Sequence, residues 1–517
     1  MRPDWTDGYV AEIGYTYGFY RELTPALIQY ALIENGIMPP ALEGSYNYCE
    51  LGFGQGMSVN LLAACNPRGS FWGTDFNPEQ ASFAREIATH ARSNAVLLDD
   101  SFQEFLERDT PPFDLIVIHG TWSWVSPEAQ QAIVQILRTK LKTGGAVYIS
   151  YNVLPGWANE KPLRDLLMLH TELGSAPGAG ITRRIEEAIQ FADGLQSNGA
   201  RFFSTNAPIA GFLKDMKSDD RQYLAHEYFN KSWDLVYFSD MARKLDEAKL
   251  GYGCSLHQMD LLKVLQHRGN IGKMLGRIGS TTLREVAHDF ALNRRFRRDV
   301  FVRGARRLTP SERLELLMDV RFILQSAPDQ VPTTCCGPEN EVPLDENLYQ
   351  PLVEVLGASE APRPLREICA DRRLADIDPA QIADAMRMLI GLRHVHPVFA
   401  ADEALRKQAH TRRFNEAIAL QARHHNHMKY LASPVLTGGV SVNRFQLLFL
   451  LARQQKLQSP EQWARFACDA SSASGEQRLR VQGKIIEQPE ERLAEFRRRA
   501  EEFATLELPG FQALGIA

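Results

Sequence analysis

Glu50 and Asp75 each stand where a short apolar run ends, and their surroundings suit the capture of a polar ligand. Tyr48-Cys49-Glu50-Leu51 reads as a strand, and Gly52, Gly54 and Gly56 follow it at alternating positions before a helical pattern opens at about Ser58. Glycine there lets the chain turn sharply and leaves room for a ligand against the main-chain amides. A second strand pattern, Gly69 to Thr74, ends at Asp75, about 25 residues beyond Glu50. An acidic residue at that spacing suits free ribose hydroxyls. The glycines read E-x-G-x-G-x-G, with Met57-Ser58 where the third glycine of a dinucleotide fingerprint would fall.

These residues need a sheet to hold them. From Tyr46 to Ser150 strand and helix patterns alternate, as a doubly wound parallel sheet requires. Thr24-Pro25 starts a helix ahead of the sheet, closed by Asn35-Gly36, and the aromatic run Tyr15 to Tyr20 before it is open to two roles, a lid over the ligand or a staple under the helix. The fifth strand runs into Tyr151-Asn152-Val153-Leu154-Pro155-Gly156-Trp157, a turn at the edge where open α/β sheets bind ligands. Helical patterns at 161–173, 182–195 and 208–216 then read as an insertion over about 158–232, overhanging that edge. A terminal helix (241–248) and strand (251–257) close the domain at about residue 262. Beyond it helices dominate, and the arginines of 293–298 read as a solvated or salt-bridged helix face, with a surface for an anionic partner as the alternative. Residues 345–400 have the order of a winged helix, whose third helix carries only Arg387 against Asp384 and offers little to phosphates. The domains expected are 1–262, 263–340, 341–400 and 401–517.

Composition narrows the function. The chain has 517 residues, 44% hydrophobic and 23% charged, the make-up of a globular protein of several domains. A net charge of −5 gives no general field for nucleic acid. No apolar run is long enough to span a membrane, and the N-terminus has no signal-like core, so a cytoplasmic setting is expected. Seven cysteines without repeated spacing fit a reducing compartment. No metal is expected: Cys335-Cys336 are adjacent, and His424, His425 and His427 lack accompanying carboxylates.

The glycine turn, Val96-Leu97-Leu98-Asp99-Asp100-Ser101-Phe102, the strand Phe113 to Gly120 and the turn and strand Leu141 to Ser150 resemble, in order, the motifs of class I S-adenosylmethionine (SAM) methyltransferases. The blocks Ser150 to Trp157, Tyr223 to Phe229 and Asp289 to Arg297 resemble bacterial methyltransferases with a methyltransferase regulatory domain, the group that includes rickettsial protein-lysine methyltransferases. The resemblance implies a Rossmann-like α/β sheet with a helical insertion and a mainly α C-terminal half. It implies SAM as cofactor, held by Glu50, Gly52, Phe53, Gly54 and Gly56, with Asp75 on the ribose. Phe76 would flank the adenine, Asp99, Asp100, Ser101 and Phe102 would lie at its edge, and His119 and Gly120 near the sulfonium. A protein acceptor follows, with lysine favoured. Its amine titrates near 10.4, so only about one molecule in 10³ is neutral at pH 7. Tyr151, Asn152, His119 or Tyr17 could take or orient that proton, and Trp122 and Trp157 could contact substrate. His119-Gly120-Thr121-Trp122 stands where amino-directed methyltransferases carry D/N-P-P-Y/F, which argues against adenine, cytosine or glutamine acceptors. A small-molecule methyltransferase and a non-catalytic SAM-binding regulator are the other classes. A homodimer is within the expectations.

Overall fold

A computed structural model describes residues 6–10, 14, 16–176, 178–257, 269–336, 341–400, 404–473, 479–481, 484–486 and 488–517. Seven strands form one mixed sheet: β1 (Asn47–Leu51), β2 (Ser70–Thr74), β3 (Ala95–Leu98), β4 (Phe113–Ile118), β5 (Leu141–Asn152), β6 (Leu250–Ser255) and β7 (Phe296–Arg303). Their spatial order is β3-β2-β1-β4-β5-β7-β6. β1 to β5 pair in parallel, whereas β7 runs antiparallel to both β5 and β6. The order reverses between β1 and β4, so the ligand crevice opens at their C-terminal ends.

Both faces are covered, which is why the strands read as nearly continuous apolar runs. Tyr48, Leu115, Val117 and Tyr148 meet α1 (Pro25–Glu34), α2 (Met57–Cys65) and α3 (Pro78–Ala91) on one side. Cys49, Ile116, Ile118, Ile149 and Tyr151 meet α4 (Phe102–Glu107) and α5 (Pro127–Lys140) on the other. Proline at the first turn starts α1, α3 and α5, and Asn77 and Ser126 accept backbone N–H bonds at the ends of α3 and α5.

After β5 come α6 (Lys161–Leu173), α7 (Ile181–Ser197), α8 (Arg201–Thr205), α9 (Ala207–Ser218) and α10 (Arg221–Tyr228). They share a core of their own, including Leu163, Ile185, Leu213 and Leu224. Then α11 (Phe238–Asp246) returns to the sheet and leads into β6.

The arginine-rich stretch is not a helix face. The helix Thr281–Leu292 ends at Asn293, in the left-handed conformation (φ 45°), and Phe296–Arg303 enters the sheet as β7. Strand alternation turns Arg297 and Asp299 inward, both fully buried. The Arg297 guanidinium reaches Asp299, Asp289 and Glu285, each at 2.7 Å, and lies over the Phe238 ring at 4.4 Å. Charges that complete one another inside the protein had looked, as sequence, like a surface. The sheet therefore continues past residue 262, and its seventh strand comes from the region expected to be dominated by helices.

In the C-terminal half, β8 (Arg321–Leu324) lies between Arg363–Pro364 and Val395–Val398 in a three-stranded antiparallel sheet. The three expected helices are Glu346–Gly357, Leu365–Cys369 and Pro379–Gly391, the last capped by the Asp378 side chain. Among the described residues Val395–Val398 pairs only with β8, so no wing hairpin follows it. The helix Ala404–Gln421 and the hairpin Tyr430–Ser433/Gly438–Ser441 rest on α2 and α3, so this half shares its core with the α1 to α3 face.

Candidate cofactor and acceptor site

Gly52, Gly54 and Gly56 all have positive φ (75°, 56° and 68°), so the turn between β1 and α2 is one that side chains resist. At Gly52 a Cβ would collide with Thr121, and at Gly56 it would lie 2.5 Å from the Ala84 Cβ. Gly56 thus lets α2 approach α3, and Gly52 lets the turn approach the end of β4. The Gly54 amide donates to Asp75 Oδ2 (2.8 Å) and the Asn77 amide to Oδ1 (3.1 Å). Burial pushes the Asp75 carboxyl up to about 6 against the pull of those two amides. Burial also raises Glu50 to about 8; the Tyr48 hydroxyl 3.4 Å away opposes this, and Asp75 adds to it. Two buried carboxyls at a glycine cradle, with no cation between them, fit a ligand that brings positive charge and ribose hydroxyls.

The remaining expected cofactor residues divide. Phe53 is buried, its ring against Gly73, and the Phe76 ring meets Tyr9 edge-on at 5.8 Å. Asp99 is half-exposed and pairs with Arg85 at 3.1 Å. Asp100 is engaged by Arg108 at 2.5 Å, and its carbonyl accepts the Thr74 hydroxyl. Ser101 caps α4 in a reciprocal box with Glu104, and Phe102 packs in the core. Side chains of Asp100, Ser101 and Phe102 are therefore committed to building the edge, leaving Asp99 the open one.

At the end of β4, the Gly120 amide donates to Ser150 Oγ (2.8 Å), and His119 Nδ1 lies 2.9 Å from the Tyr148 hydroxyl. The Tyr20 ring stacks on His119 with centroids 3.7 Å apart. Burial lowers His119 to about 3; nearby Glu22 opposes this and Arg298 adds to it. A ring so weakly basic has no capacity to take an ammonium proton near neutrality. His119 is held at the end of β4 between the Tyr20 ring and the Tyr148 hydroxyl.

Four other expected residues lie elsewhere. Tyr151 alternates onto the far face of β5, where its buried hydroxyl donates to Asp299 at 2.6 Å. Tyr17 packs on Phe83 of α3 and stacks with His425, which stacks on His427. Trp122 is fully buried under Lys244. Trp157 is a clasp: its N–H donates to the Arg295 carbonyl (2.8 Å), and Trp233 and Tyr228 flank its ring, tying the inserted helices to the sheet. Of the proposed acceptor residues Asn152 alone stays at the edge, on the face that Tyr148 and Ser150 share. Its amide donates to Ser123 Oγ at 2.9 Å.

Two residues that the sequence did not flag complete this edge. Tyr9 lies between Phe76 and His226, each ring 5.8 Å away. Burial, then Asp75, Glu227 and Tyr20, push its phenol upward, so it links the cofactor edge to α10. Glu227 of α10 makes no hydrogen bond or ion pair among the described residues, and burial alone raises it to about 7. Its block, Tyr223 to Phe229, was visible in the sequence, but beside Arg221 and His226 in Arg221–Tyr228 nothing local set Glu227 apart.

A glycine cradle at the switch point of a β3-β2-β1-β4-β5-β7-β6 sheet, with acids closing β1 and β2, defines a class I SAM-dependent methyltransferase. The sequence matches the methyltransferase domain over residues 49–147 and the predicted methyltransferase regulatory domain over residues 220–303. It is 38% identical over 516 residues to uncharacterized protein sll1526 of Synechocystis sp., covering 99% of this chain and 100% of that one. Uncharacterized protein RP028 of Rickettsia prowazekii is 27% identical over 213 residues, 40% of this chain and 82% of that protein. The structure of PKMT2 from Rickettsia typhi in complex with AdoHcy superposes with a TM-score of 0.69 at 18% identity, over 96% of this chain and 99% of that one. The chain belongs to the methyltransferases that carry a methyltransferase regulatory domain. That domain's span includes α10, α11, β6 and β7, so it supplies two strands of the sheet.

Proposed function

We propose that this methyltransferase modifies the side-chain amine of a lysine in a protein. The observation that carries the reading is Glu227, a carboxyl on the inserted helices with no ion partner among the described residues, beside the Tyr9 that reaches toward Asp75. SAM would be held by Glu50, the amides of Gly52 to Gly56, Asp75, Phe76 and Asp99. Bound there, it supplies an electrophilic methyl group on a sulfonium.

The chain's own residues must then deal with a protonated amine, a deficit of about 4–5 kcal/mol at pH 7. Glu227 attracts the ammonium, takes a proton as the amine leaves water, and with Asn152 orients it. Transfer is a displacement, so alignment supplies most of the rate. His119 under Tyr20 excludes water behind the reacting atoms. The likeness to PKMT2 and the Tyr223 to Phe229 block support a protein acceptor, as does a C-terminal half that a small acceptor would not use.

The test is incubation with methyl-labelled SAM and bacterial proteins, followed by acid hydrolysis and amino-acid analysis. Methyl-lysine is the expected product. Base-labile methyl ester, methyl-arginine or label confined to small molecules overturns the reading.

A further inference from the structure

Tyr20 has a second neighbour besides His119. It lines a cavity of about 350 Å³ between the methyltransferase sheet and the C-terminal half. The wall comes from residues 19–22 ahead of α1, Arg298 of β7, the residues around β8 and its partner strand, and the hairpin at 430–441. The glycine turn, Asp75 and the end of β3 contribute nothing to it.

Its charges do not balance. Arg21, Arg298 and Arg393 line it together with a single carboxylate, Glu22, which leaves an excess of two positive charges. Arg21 is fully engaged: it donates to His396 Nδ1 (3.0 Å) and to the carbonyls of Ile390 (3.0 Å) and Val395 (2.8 Å). Arg298 and Arg393 have only Glu22, at 3.8 and 3.6 Å, and no other acceptor among the described residues. Arg298 Nε is buried without a hydrogen-bond partner. Because Arg21 donates to His396 Nδ1, the His396 ring carries its proton on Nε2, a second buried donor without an acceptor. His396 is only 3% exposed. Buried donors left unpaired cost about 1–3 kcal/mol each, more when charged, so an arrangement like this calls for an acceptor from outside.

We propose that this cavity is a binding site for a small organic anion bearing a carboxylate or phosphate, held by Arg298, Arg393 and His396. Its volume lies within the usual range for small-ligand pockets and is too small for a macromolecule. The proposal is independent of the acceptor's identity.

Calorimetry on the full chain tests it, with inorganic phosphate, succinate and citrate as probes and potassium chloride holding ionic strength constant. At least one probe should bind saturably, and the phosphate and carboxylate arms identify the preferred head group. Arg393→Gln and Arg298→Gln should each weaken that binding tenfold or more while leaving S-adenosylhomocysteine affinity unchanged. Arg393 is more than half exposed, so Arg393→Gln decides the matter if Arg298→Gln fails to fold. The proposal falls if none of the three probes binds to protein that still binds S-adenosylhomocysteine, or if Arg393→Gln binds as tightly as wild type. It falls too if S-adenosylhomocysteine displaces the probe, which would make the cavity part of the cofactor site.

Discussion

Replacing Glu227 by glutamine separates the acid's chemistry from its shape. A carboxyl that releases its proton at about 7 instead of near 4.5 holds that proton more tightly by about 3 kcal/mol. It is therefore a better match for an amine near 10.4 than an exposed glutamate, by roughly two orders of magnitude in proton affinity. Glu227→Gln removes this and the attraction for the incoming ammonium, so kcat/KM should fall 10²-fold or more, with the acidic limb near pH 7 lost from its pH profile. The same burial has a thermodynamic signature. Since the folded carboxyl titrates above its unfolded value, its contribution to stability is full below about 4.5 and is lost as pH rises through about 7. Glu227→Gln should then unfold at a higher temperature than wild type at pH 8, and the two should converge below pH 5. The assays are methyl transfer across pH 6 to 9 and thermal unfolding at pH 4.5 and 8. Unchanged turnover, or a parallel loss of S-adenosylhomocysteine affinity, would refute Glu227 as the acceptor's partner.

Three further outcomes are expected. Asp75→Asn should weaken S-adenosylhomocysteine binding at least tenfold by calorimetry; because the empty site's carboxyl titrates at about 6, wild-type affinity should be full above that pH and decline below it, a limb the variant lacks. Arg297→Met removes the buried cation that joins Asp299, Glu285 and Asp289 and leaves Arg294 as the ion partner of Asp289; it should cost about 3–5 kcal/mol in urea unfolding, or prevent folding, and an unchanged midpoint would contradict the network. Tyr151→Phe should lose about 1–3 kcal/mol of stability with the bond to Asp299 while the folded enzyme turns over normally, and a lowered kcat would restore the tyrosine to catalysis.

The first five strands were legible because their apolar runs, the edge strand β3 apart, are buried on both faces, so local pattern and tertiary role agree. Gly52 to Gly56 and Asp75 were legible for a related reason, since backbone conformation dictates the residue type. β7 was not. Its inward positions are Arg297 and Asp299, which satisfy each other only once Glu285 and Asp289 arrive from the preceding helix, and no window of sequence contains that fact. Tyr151 was misplaced by the strand's period of two: next to Asn152 in sequence, it points to the opposite face. Tyr9 and Glu227 were missed because they lie far apart in the chain and meet only when the inserted helices fold back over the edge of β2.

The division between a catalytic and a regulatory domain therefore does not follow the structure. The segment matched as regulatory, residues 220–303, includes β7, which pairs with β5 at every residue from Ala146 to Asn152. Without β7, the long and wholly buried end of β5 would be a free edge, the kind of strand that aggregates. The same segment carries Glu227 at one end and the Arg297 network at the other, and that network secures the sheet. Arg298 alternates to the opposite face of β7 and reaches Glu22 and the cationic cavity. One strand thus has its inward arginine in the methyltransferase core and its next arginine at the boundary with the C-terminal half. Any influence of that half on methyl transfer has a short physical route: from the cavity through Arg298 and Glu22 to Tyr20, whose ring lies on His119 at the end of β4.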